Sequence, residues 1–398
     1  MIKPVKKPLL LIIITTAIIF GVVYWVLTQK PKFEENTTKQ HIDSLLEARK
    51  TELLTEGSSE DPFGQDNLVR ILLIGLDTRT GETKQHCDAI QLIEIDRASN
   101  KIVITAVPRG TYAQLPPGQK YLASDYYVSN ACAIGGLTYG IEKIEKILGK
   151  KTDYIVAMGF SEAMGILRRL ELPAEETLQW LRLRQGYAIG EPQRARNHST
   201  FIKQQLINLS PKINSTMNIP WQFILYKMVH TDLSFSQGRE IVAAIAKMNL
   251  ATQPENISLA MKPPHAVQDI PYDPTKVDEY LKSRIEPIKH LLPVADYSAT
   301  TKEAMEEKIL AAFNENKQDQ TFITWAFDNG LWFQIEDTQK RETLHYEIIS
   351  KYVAFISEEV QREKIIADYI MEMDEINENT WATKGRELLL QTLNSIVK

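Results

Sequence analysis

The sequence predicts an α/β fold in which a central mixed β-sheet is flanked by helices. Short apolar runs alternate with helical segments between residues 69 and 170, which is typical of layered α/β domains. A long uncharged run near the start indicates a transmembrane helix. After about residue 290 the chain is charged and has helical spacing, so we expect a mostly α-helical C-terminal region.

Length and charge narrow the class of protein. A chain of 398 residues exceeds one ordinary core, so we expect two folded units with attachments. The formal net charge is −5, whereas a protein that binds a nucleic-acid backbone normally carries a broad basic field. We therefore expect no nucleic-acid partner. Any anion site must be local and suited to a small headgroup.

The N-terminal run predicts the location of the chain. Leu9–Leu27 contains no charged residue, and as a helix it is about 28 Å long, enough to cross a hydrocarbon core. Lys3, Lys6 and Lys7 precede it, so the N-terminus is expected in the cytoplasm and the bulk of the chain outside. A cleaved signal peptide is the alternative, but no small-x-small site follows the run. We therefore expect a single-pass signal-anchor.

Changes in composition divide the chain into four parts. Residues 1–30 hold the cytoplasmic N-terminus and the transmembrane helix, and residues 31–66 form a polar stalk. Residues 67–288 form the α/β domain, and residues 289–398 form the helical region, for which the sequence indicates no role.

Apolar runs predict the strands of the α/β domain, and 3.6-residue spacing predicts its helices. The second and third strands are joined by a short polar turn, which indicates an antiparallel hairpin. The predicted strands are Val69–Ile74, Ala89–Asp96, Ile102–Val107, Tyr154–Met158 and Ile257–Met261. The helices predicted between them are Gly135–Leu148 and Ser161–Leu170.

Charged side chains follow the ends of the predicted strands. Asp77 ends the first strand and Asp88 begins the second, so the two carboxylates are within plausible reach of each other. Two such carboxylates can hold Mg²⁺ when a phosphate completes its oxygen shell. Arg79 follows the first strand, and Arg109 follows the third strand. The alternative is a network of Asp–Arg salt bridges that ties the loops together.

A second basic segment runs from Trp180 to Asn197. Its arginines are Arg182, Arg184, Arg194 and Arg196, and Glu191 is its one acidic residue. If residues 181–183 are extended, Arg182 and Arg184 leave the same face of a strand, and the later arginines return to it. Converging guanidinium groups repel each other unless a dianion lies between them, and a phosphate fits their geometry. The alternative is a solvated basic loop.

The two cysteines, Cys87 and Cys132, leave two interpretations open. Outside the cytoplasm they can form a disulfide, but spacing alone does not show that their Cα atoms approach. Two buried free thiols are the alternative. A zinc site is not expected, since neither cysteine lies in a CxxC motif or has a histidine at ligand spacing.

Five short motifs occur in order along the chain. They are GLDTR at 75–79, CDAIQLIEID at 87–96, AVPRGTY at 106–112, SNACAIGG at 129–136 and LRLR at 181–184. Together they resemble the motifs of the LytR-CpsA-Psr family of bacterial cell-envelope proteins. The similarity covers residues 68–285, about 55% of the chain. Each motif is weak alone, but their order behind one membrane anchor is specific.

The resemblance implies a phosphotransferase that moves a glycopolymer from a polyprenyl-pyrophosphate carrier to a hydroxyl of a peptidoglycan sugar. It implies that Asp77 and Asp88 are Mg²⁺-associated acids, one of which assists deprotonation, and that Arg109 is catalytic. The residues that the resemblance assigns to pyrophosphate are Arg79, Arg109, Asn130, Arg182, Arg184 and Arg194 or Arg196. Candidates for a tunnel that holds the polyprenyl chain are Ile155, Met158, Met164 and Leu167, although core packing is the simpler role for each.

The chain departs from the family pattern at several positions. His86 stands where an arginine is usual, and Gly110 where an aspartate is usual. Two other functions therefore remain open. One is a polyprenyl-pyrophosphate phosphatase, which uses water as the acceptor. The other is a non-catalytic envelope scaffold or regulator that binds pyrophosphate lipids and acts through the C-terminal region.

Overall fold

The structure, a computed structural model, describes residues 61–77, 85–118, 120–212, 219–291 and 302–396. The predicted transmembrane helix, most of the predicted stalk and Arg79 lie outside these ranges. Within them, no helix is both long and apolar enough to cross a membrane.

A mixed β-sheet forms the centre of the first domain, as predicted. Within the described residues six strands pair in the order β5-β4-β1-β2-β3-β6. β1 is antiparallel to β2 and parallel to β4, β2 and β3 form the predicted antiparallel hairpin, β3 is parallel to β6, and β4 is antiparallel to β5. The strands are β1 (Leu68–Asp77), β2 (His86–Asp96), β3 (Lys101–Ala106), β4 (Tyr154–Met158), β5 (His230–Thr231) and β6 (Ile257–Met261).

Helices cover both faces of the sheet. The helices of this part of the chain are α1 (Val128–Gly135), α2 (Leu137–Leu148), α3 (Phe160–Arg169), α4 (Ala174–Arg182), α5 (Gly190–Leu209), α6 (Ile219–Lys227), α7 (Phe235–Lys247) and α8 (Val277–Ile285). On one face, Leu72 and Ile74 of β1 pack with α1 and α2. On the other face, Val69 and Ile71 pack with α5 and α7. Because both faces are covered, residues 71–76 of the central strand β1 are all apolar or glycine.

Two predicted elements differ from the structure. The helix predicted over Gly135–Leu148 begins instead at Leu137, and the helix α1, which was not predicted, ends at Gly135. Gly136 separates the two, because its φ of +85° is not compatible with helical backbone. The strand expected at residues 181–183 is wrong, since α4 continues to Arg182 and only Leu183 is extended. Arg182 and Arg184 therefore do not share a strand face.

A disulfide joins Cys87 of β2 to Cys132 of α1, with Cα atoms 5.9 Å apart. Of the two interpretations of the cysteines, the disulfide is therefore correct, and the free thiols are not. Cys87 is the direct neighbour of Asp88, so the bond ties the strand that carries this acid to the helix packed against it.

The C-terminal region is helical, as predicted. Its helices are α9 (Lys302–Asn316), α10 (Gln320–Asp328), α11 (Thr338–Phe355), α12 (Glu359–Glu375) and α13 (Asn379–Ile396). They share two apolar cores with α6. Trp332 and Phe333 are buried in one of these cores.

The C-terminal helices also hold α3 of the first domain. Arg168 of α3 pairs with Glu336 at 2.8 Å, and Arg169 pairs with Glu372 of α12 at 2.5 Å. Gly165 lies against the Phe333 ring so closely that an added Cβ would be 2.9 Å from it. The helical region is thus packed directly on one helix of the α/β domain.

Candidate functional site

The ends of β1 and β2 bring Asp77 and Asp88 to one place, as predicted. The register between these strands shifts after Gly75, which lies opposite Ala89, because Leu76 lies opposite Cys87 and Asp77 opposite His86. Asp88 is therefore the extra residue of a bulge in β2. A Cβ at Gly75 would lie 2.9 Å from the Cβ of Ala89 across the pair. A bulge changes the direction of the side chain that it carries. Both acids consequently line the same two hollows.

The first hollow is an apolar cavity of about 270 Å³. It lies between the sheet and helices α3, α4 and α5. Its apolar lining includes Leu73, Met158, Phe160, Ala163, Ile166, Leu167, Leu170, Leu178, Leu181 and Phe201. Of the predicted tunnel residues, Met158 and Leu167 line this cavity. Met164 is buried in a neighbouring core, and Ile155 packs against the core on the other face of the sheet.

The second hollow is a polar cleft of about 820 Å³ that meets the cavity at the two acids. Besides Asp77 and Asp88, most of the residues that line it are charged or polar. These include His86, Arg109, Tyr112, Tyr127, Ser129, Asn130, Arg184, Glu191 and His265. A molecule with an apolar chain and a polar head could therefore bind across the two acids, with its chain in the cavity and its head in the cleft.

Arg109 holds Asp88 in the cleft. Its Nη1 donates to both carboxylate oxygens of Asp88, at 2.8 and 2.7 Å. Burial disfavours the charge of Arg109, but Asp88 and Glu191 outweigh burial and hold the pKa of Arg109 above its ordinary value. The predicted proximity of these residues is confirmed, and part of it is the Asp–Arg salt bridge that the sequence left open.

Glu191 lies at the centre of the arginine cluster. Its Oε1 is 3.0 Å from Nη2 of Arg109 and 3.0 Å from Nη1 of Arg184, and its Oε2 is 2.9 Å from Nη2 of Arg194. Burial works to raise the pKa of Glu191, but the charges of Arg194 and Arg109 and hydrogen bonds from Arg184 and Arg109 lower it. A carboxylate of the chain thus occupies the place between arginines where the sequence predicts a dianion.

Helix α5 brings Glu191 to the polar cleft and Arg194 to the adjoining wall of the apolar cavity. Glu191 lies in its first turn, where a negative charge is favoured by the helix dipole. Buried Gln91 of β2 fixes the helix against the sheet, since its Nε2 donates to the carbonyl of Ala195 at 3.0 Å and its Oε1 accepts from Ser199 at 2.6 Å. Arg194 then donates to the carbonyl of Asp88 at 3.1 Å.

The other arginines of the basic segment are distributed differently from the prediction. Arg182 lines the apolar cavity and lies 5.3 Å above the Phe160 ring, whereas Arg184 lines the polar cleft. Arg196 pairs with Asp269 at 2.5 Å and lines neither hollow. The structure therefore brings Arg109, Arg184 and Arg194 together and leaves Arg196 outside the cluster.

Arg194 is the most deeply buried member of the cluster. Burial lowers the pKa of Arg194 to about 10, against the opposing charges of Glu191 and Asp88 and with the help of Arg109 and Arg184. It remains protonated at neutral pH. Its charge acts in a less polar environment than that of the exposed arginines, which strengthens its attraction for an anion.

His198 is a buried group that the sequence did not assign to the site. It lines the apolar cavity, and its Nε2 donates to the carbonyl of Leu181 at 2.6 Å. Its Nδ1 is buried without a hydrogen-bond partner among the described residues. Burial, followed by the charge of Arg194, lowers the pKa of His198 to about 4. The ring is therefore neutral at pH 7, in keeping with the apolar lining around it.

The carboxylates of the cleft form an oxygen donor set that suits magnesium only in part. Among the described residues, no group of three or more His, Cys, Asp or Glu side chains has the geometry of a metal site. Asp77 and Asp88 offer two carboxylates, and Mg²⁺ commonly binds through one or two carboxylates with phosphate oxygens and water. The pair therefore fits Mg²⁺ that arrives with a phosphate substrate.

The fold and the cleft together define a mixed α/β protein with a cluster of arginines and carboxylates at the end of its sheet. Residues 30–164 match the model of the LytR_cpsA_psr family, and this stretch contains Asp77, Asp88, Arg109 and Asn130. The resemblance seen in the motifs is thus confirmed. The cluster arginines Arg184 and Arg194 follow the matched stretch.

Curated relatives and solved structures are similar to parts of the chain. The polyisoprenyl-teichoic acid–peptidoglycan teichoic acid transferase TagU of Bacillus cereus is 25% identical over 126 residues, 32% of this chain and 40% of the relative. TagU of Bacillus mycoides is 26% identical over 121 residues, 30% and 38% of the two chains. The chain thus matches about two fifths of the length of these relatives.

Two solved structures cover more of the chain at lower identity. The crystal structure of TagV from B. subtilis has a TM-score of 0.42 and 15% identity, and covers 56% of this chain and 98% of its own. TagT bound to LI-WTA has a TM-score of 0.39 and 16% identity, with coverage of 59% and 96%.

Proposed function

We propose that this protein transfers a glycopolymer from a polyprenyl-pyrophosphate carrier to a hydroxyl of a peptidoglycan sugar. The observation that carries the proposal is that an apolar cavity and an arginine-lined cleft meet at Asp77 and Asp88. A substrate that consists of a lipid chain, a pyrophosphate and a glycan, in that order, matches this arrangement: its apolar end fits the cavity, and its charged and polar parts fit the cleft. The names of the TagU relatives, which are teichoic acid transferases, support the same class of reaction.

Each part of the carrier has a place in this proposal. The polyprenyl chain next to the pyrophosphate lies in the apolar cavity, where burial of its methylene groups is favourable. The pyrophosphate lies between the acids and Arg109, Arg184 and Arg194, with Arg79 and Asn130 as further proposed contacts. The first sugars extend into the polar cleft.

The reaction is a displacement at phosphorus. The oxygen of the sugar hydroxyl attacks the phosphorus that carries the glycopolymer, and the bond from that phosphorus to the bridging oxygen breaks. The electron pair and bridging oxygen leave with polyprenyl monophosphate, and the hydroxyl proton passes to Asp77 or Asp88. The arginines stabilise the charge on the transferring phosphoryl oxygens, which is the main task of a protein in such a transfer.

Magnesium and membrane attachment are further parts of the proposal. Asp77 and Asp88 would hold Mg²⁺ delivered with the pyrophosphate, and the ion would supply positive charge to the phosphate oxygens. Leu9–Leu27 would anchor the chain in a bacterial cell membrane with residues after about 30 outside the cytoplasm. The lipid carrier and the glycan acceptor would then be on the same side of the membrane as the cleft.

A transfer assay with the full-length chain tests the proposed reaction. The donor is a labelled disaccharide on polyprenyl pyrophosphate, and the acceptor is a peptidoglycan oligomer. Wild-type protein should form labelled acceptor and polyprenyl monophosphate. Arg109→Ala should lose about a hundredfold or more in rate, because it removes a charge held against Asp88 at the reacting phosphate. Arg97→Ala is the matched control, since Arg97 pairs with Asp61 away from both hollows.

The products distinguish the proposed reaction from the two alternatives. Polyprenyl monophosphate that forms at the same rate without the acceptor would mean that the protein is a phosphatase. Donor binding without any turnover would favour the scaffold. Full transfer by Arg109→Ala would contradict the assignment of the arginine cluster.

A further inference from the structure

The polar cleft is larger than a pyrophosphate requires. Its volume of about 820 Å³ falls in the range of pockets that hold a drug-sized ligand. The acids and arginines that would bind phosphate form only part of its lining. Tyr112, Tyr127, Asn130 and His265 line it as well, so the cleft has room and polar groups for another part of the substrate.

Two tyrosines of the cleft expose their rings to solvent. Tyr112 is 69% exposed and Tyr127 is 42% exposed. The two residues are joined by an antiparallel backbone bridge, so they form one aromatic surface, which we call the tyrosine pair. Neighbouring exposed aromatic side chains are a feature of binding sites, because each offers apolar area and a polar tip to a ligand.

The ring of Tyr112 is held in place by its neighbours. The amide of Ala113 donates to the carbonyl of Tyr126 at 3.0 Å, which fixes the backbone beside Tyr112. The Tyr112 ring stacks on that of Tyr126, with centroids 5.9 Å apart and an interplanar angle of 14°. Tyr126 in turn meets the edge of Tyr121 at 5.9 Å. A preordered ring loses little conformational entropy when a ligand packs on it.

Asn130 provides a fixed polar group in the same cleft. Its Nδ2 donates to the carbonyl of Asp125 at 3.0 Å, which holds the amide in one orientation. His265 is exposed on the segment that follows β6. The cleft thus combines flat apolar rings with hydrogen-bonding side chains. A pyranose ring matches this combination, because it has a face of C–H groups and a rim of hydroxyls.

We propose that the tyrosine pair is a saccharide-binding subsite, which packs a pyranose ring on Tyr112 and Tyr127 beside the reacting phosphate. The inference rests on the proposed function, because it assigns to the cleft a sugar of one of the two substrates. The sugar belongs either to the acceptor or to the first unit of the donor glycan. The recognition chemistry is the same in both cases.

Binding measurements on the full-length chain test the subsite separately from the reaction. The probes are a short peptidoglycan oligosaccharide, polyprenyl pyrophosphate without sugar, and polyprenyl pyrophosphate that carries a disaccharide. The variants are Tyr112→Ala, Tyr127→Ala and Tyr112→Phe, with Phe355→Ala as a control at an exposed aromatic residue outside the cleft. Thermal unfolding of each variant checks that it is folded.

The two alanine variants should each weaken binding of a sugar-bearing probe by about tenfold, since each removes a ring that packs on the sugar. Tyr112→Phe and Phe355→Ala should bind as wild type does, and binding of sugar-free polyprenyl pyrophosphate should not change. If the alanine variants bind the free oligosaccharide more weakly, the subsite binds a sugar of the acceptor. If they bind only the disaccharide-bearing lipid more weakly, the subsite binds a sugar of the donor.

Two results would contradict the assignment of the tyrosine pair as a saccharide-binding subsite. One is a wild-type protein that binds sugar-free polyprenyl pyrophosphate as tightly as the disaccharide-bearing lipid and does not bind the oligosaccharide. The other is sugar binding that is unchanged in both folded alanine variants. In either case, intact binding of polyprenyl pyrophosphate would leave the proposed function standing, whereas its absence in wild type would mean that the proposed function itself fails.

Discussion

The carboxylate of Glu191 forms an ion pair with Arg194, one helical turn further along α5, with 2.9 Å between Oε2 and Nη2. The other oxygen of the same carboxylate pairs with Arg109 and Arg184. Glu191 therefore neutralises part of the charge that would attract the proposed pyrophosphate, and it holds the three guanidinium groups together.

Replacement of Glu191 by glutamine should affect stability and anion binding in opposite directions. Glu191→Gln removes the negative charge among three arginines, so the free energy of unfolding should fall by about 2 kcal/mol. Inorganic pyrophosphate should bind more tightly to the variant, because it no longer competes with a carboxylate of the chain. Denaturant unfolding with and without pyrophosphate measures both effects, and a variant that equals wild type in both would contradict this role.

The stability of the protein should depend on pH through His198. Burial and Arg194 lower the pKa of His198 to about 4, whereas an unfolded histidine has a pKa of about 6.5. Between these values the unfolded chain binds more protons, so stability is lost as pH falls from about 6.5 to 4. The loss from this residue is at most about 3 kcal/mol.

The variant His198→Gln should remove that part of the pH dependence, since glutamine does not titrate and can still donate to the Leu181 carbonyl. Unfolding free energies of both proteins across this range provide the test. Parallel curves for wild type and variant would show that His198 does not titrate differently in the folded and unfolded states.

The disulfide between Cys87 and Cys132 should contribute substantially to stability. It closes a loop with a sequence separation of 45, for which loop-closure entropy gives about 4 kcal/mol. The double variant Cys87→Ala, Cys132→Ala should lose stability by that order in denaturant unfolding. A reducing agent should destabilise wild type but leave the double variant unchanged. Equal sensitivity of both proteins to the reducing agent would contradict the prediction.

The contact between α3 and the C-terminal region can be tested with two glycine-to-alanine changes. Both Gly165 and Gly238 lie in helices, where alanine is intrinsically favoured by up to about 1 kcal/mol. Gly238 has open space at its Cβ position, whereas a Cβ at Gly165 would lie 2.9 Å from the buried Phe333 ring. Gly238→Ala should therefore stabilise the protein, and Gly165→Ala should destabilise it by about 1–3 kcal/mol. Equal changes in unfolding temperature for the two variants would contradict the prediction, because the contact between Gly165 and Phe333 would then accommodate the added Cβ without loss of stability.

The packing of α3 also connects the C-terminal region to the apolar cavity. Ile166 of this helix lines the cavity and packs against the core that contains Trp332 and Phe333. The helical region, for which the sequence indicates no role, thus supports one wall of the cavity.

The sequence predicted most of the sheet because its strands are apolar at consecutive positions. The proximity of Asp77 and Asp88 followed from the order of these strands, and the structure places both acids in the same hollows. These features depend on local pattern and on neighbouring strands, which a single sequence contains.

The arrangement of the basic segment was harder to predict. The short alternation Leu-Arg-Leu-Arg indicates a strand, yet α4 reaches Arg182 and places it at the cavity. A helix signal was present, since Glu175 and Glu176 lie in the first turn after Pro173. The position of Glu191 depends on how α5 packs against β2 through Gln91, a contact between distant residues that local pattern does not contain.

In the proposed function, one substrate occupies both the apolar cavity and the arginine-lined cleft. The variants that separate the two hollows are Ala163→Trp, which fills the cavity, and Arg109→Ala, which removes a charge from the cleft. Ala251→Trp is the control, because Ala251 is exposed and lines neither hollow.

The most direct measurement is the affinity of these variants for polyprenyl pyrophosphate and for inorganic pyrophosphate. We predict that both Ala163→Trp and Arg109→Ala lose at least about tenfold in affinity for the lipid, and that only Arg109→Ala loses affinity for inorganic pyrophosphate. Wild-type affinity for the lipid in Ala163→Trp would contradict the claim, because the lipid chain would then lie outside the cavity.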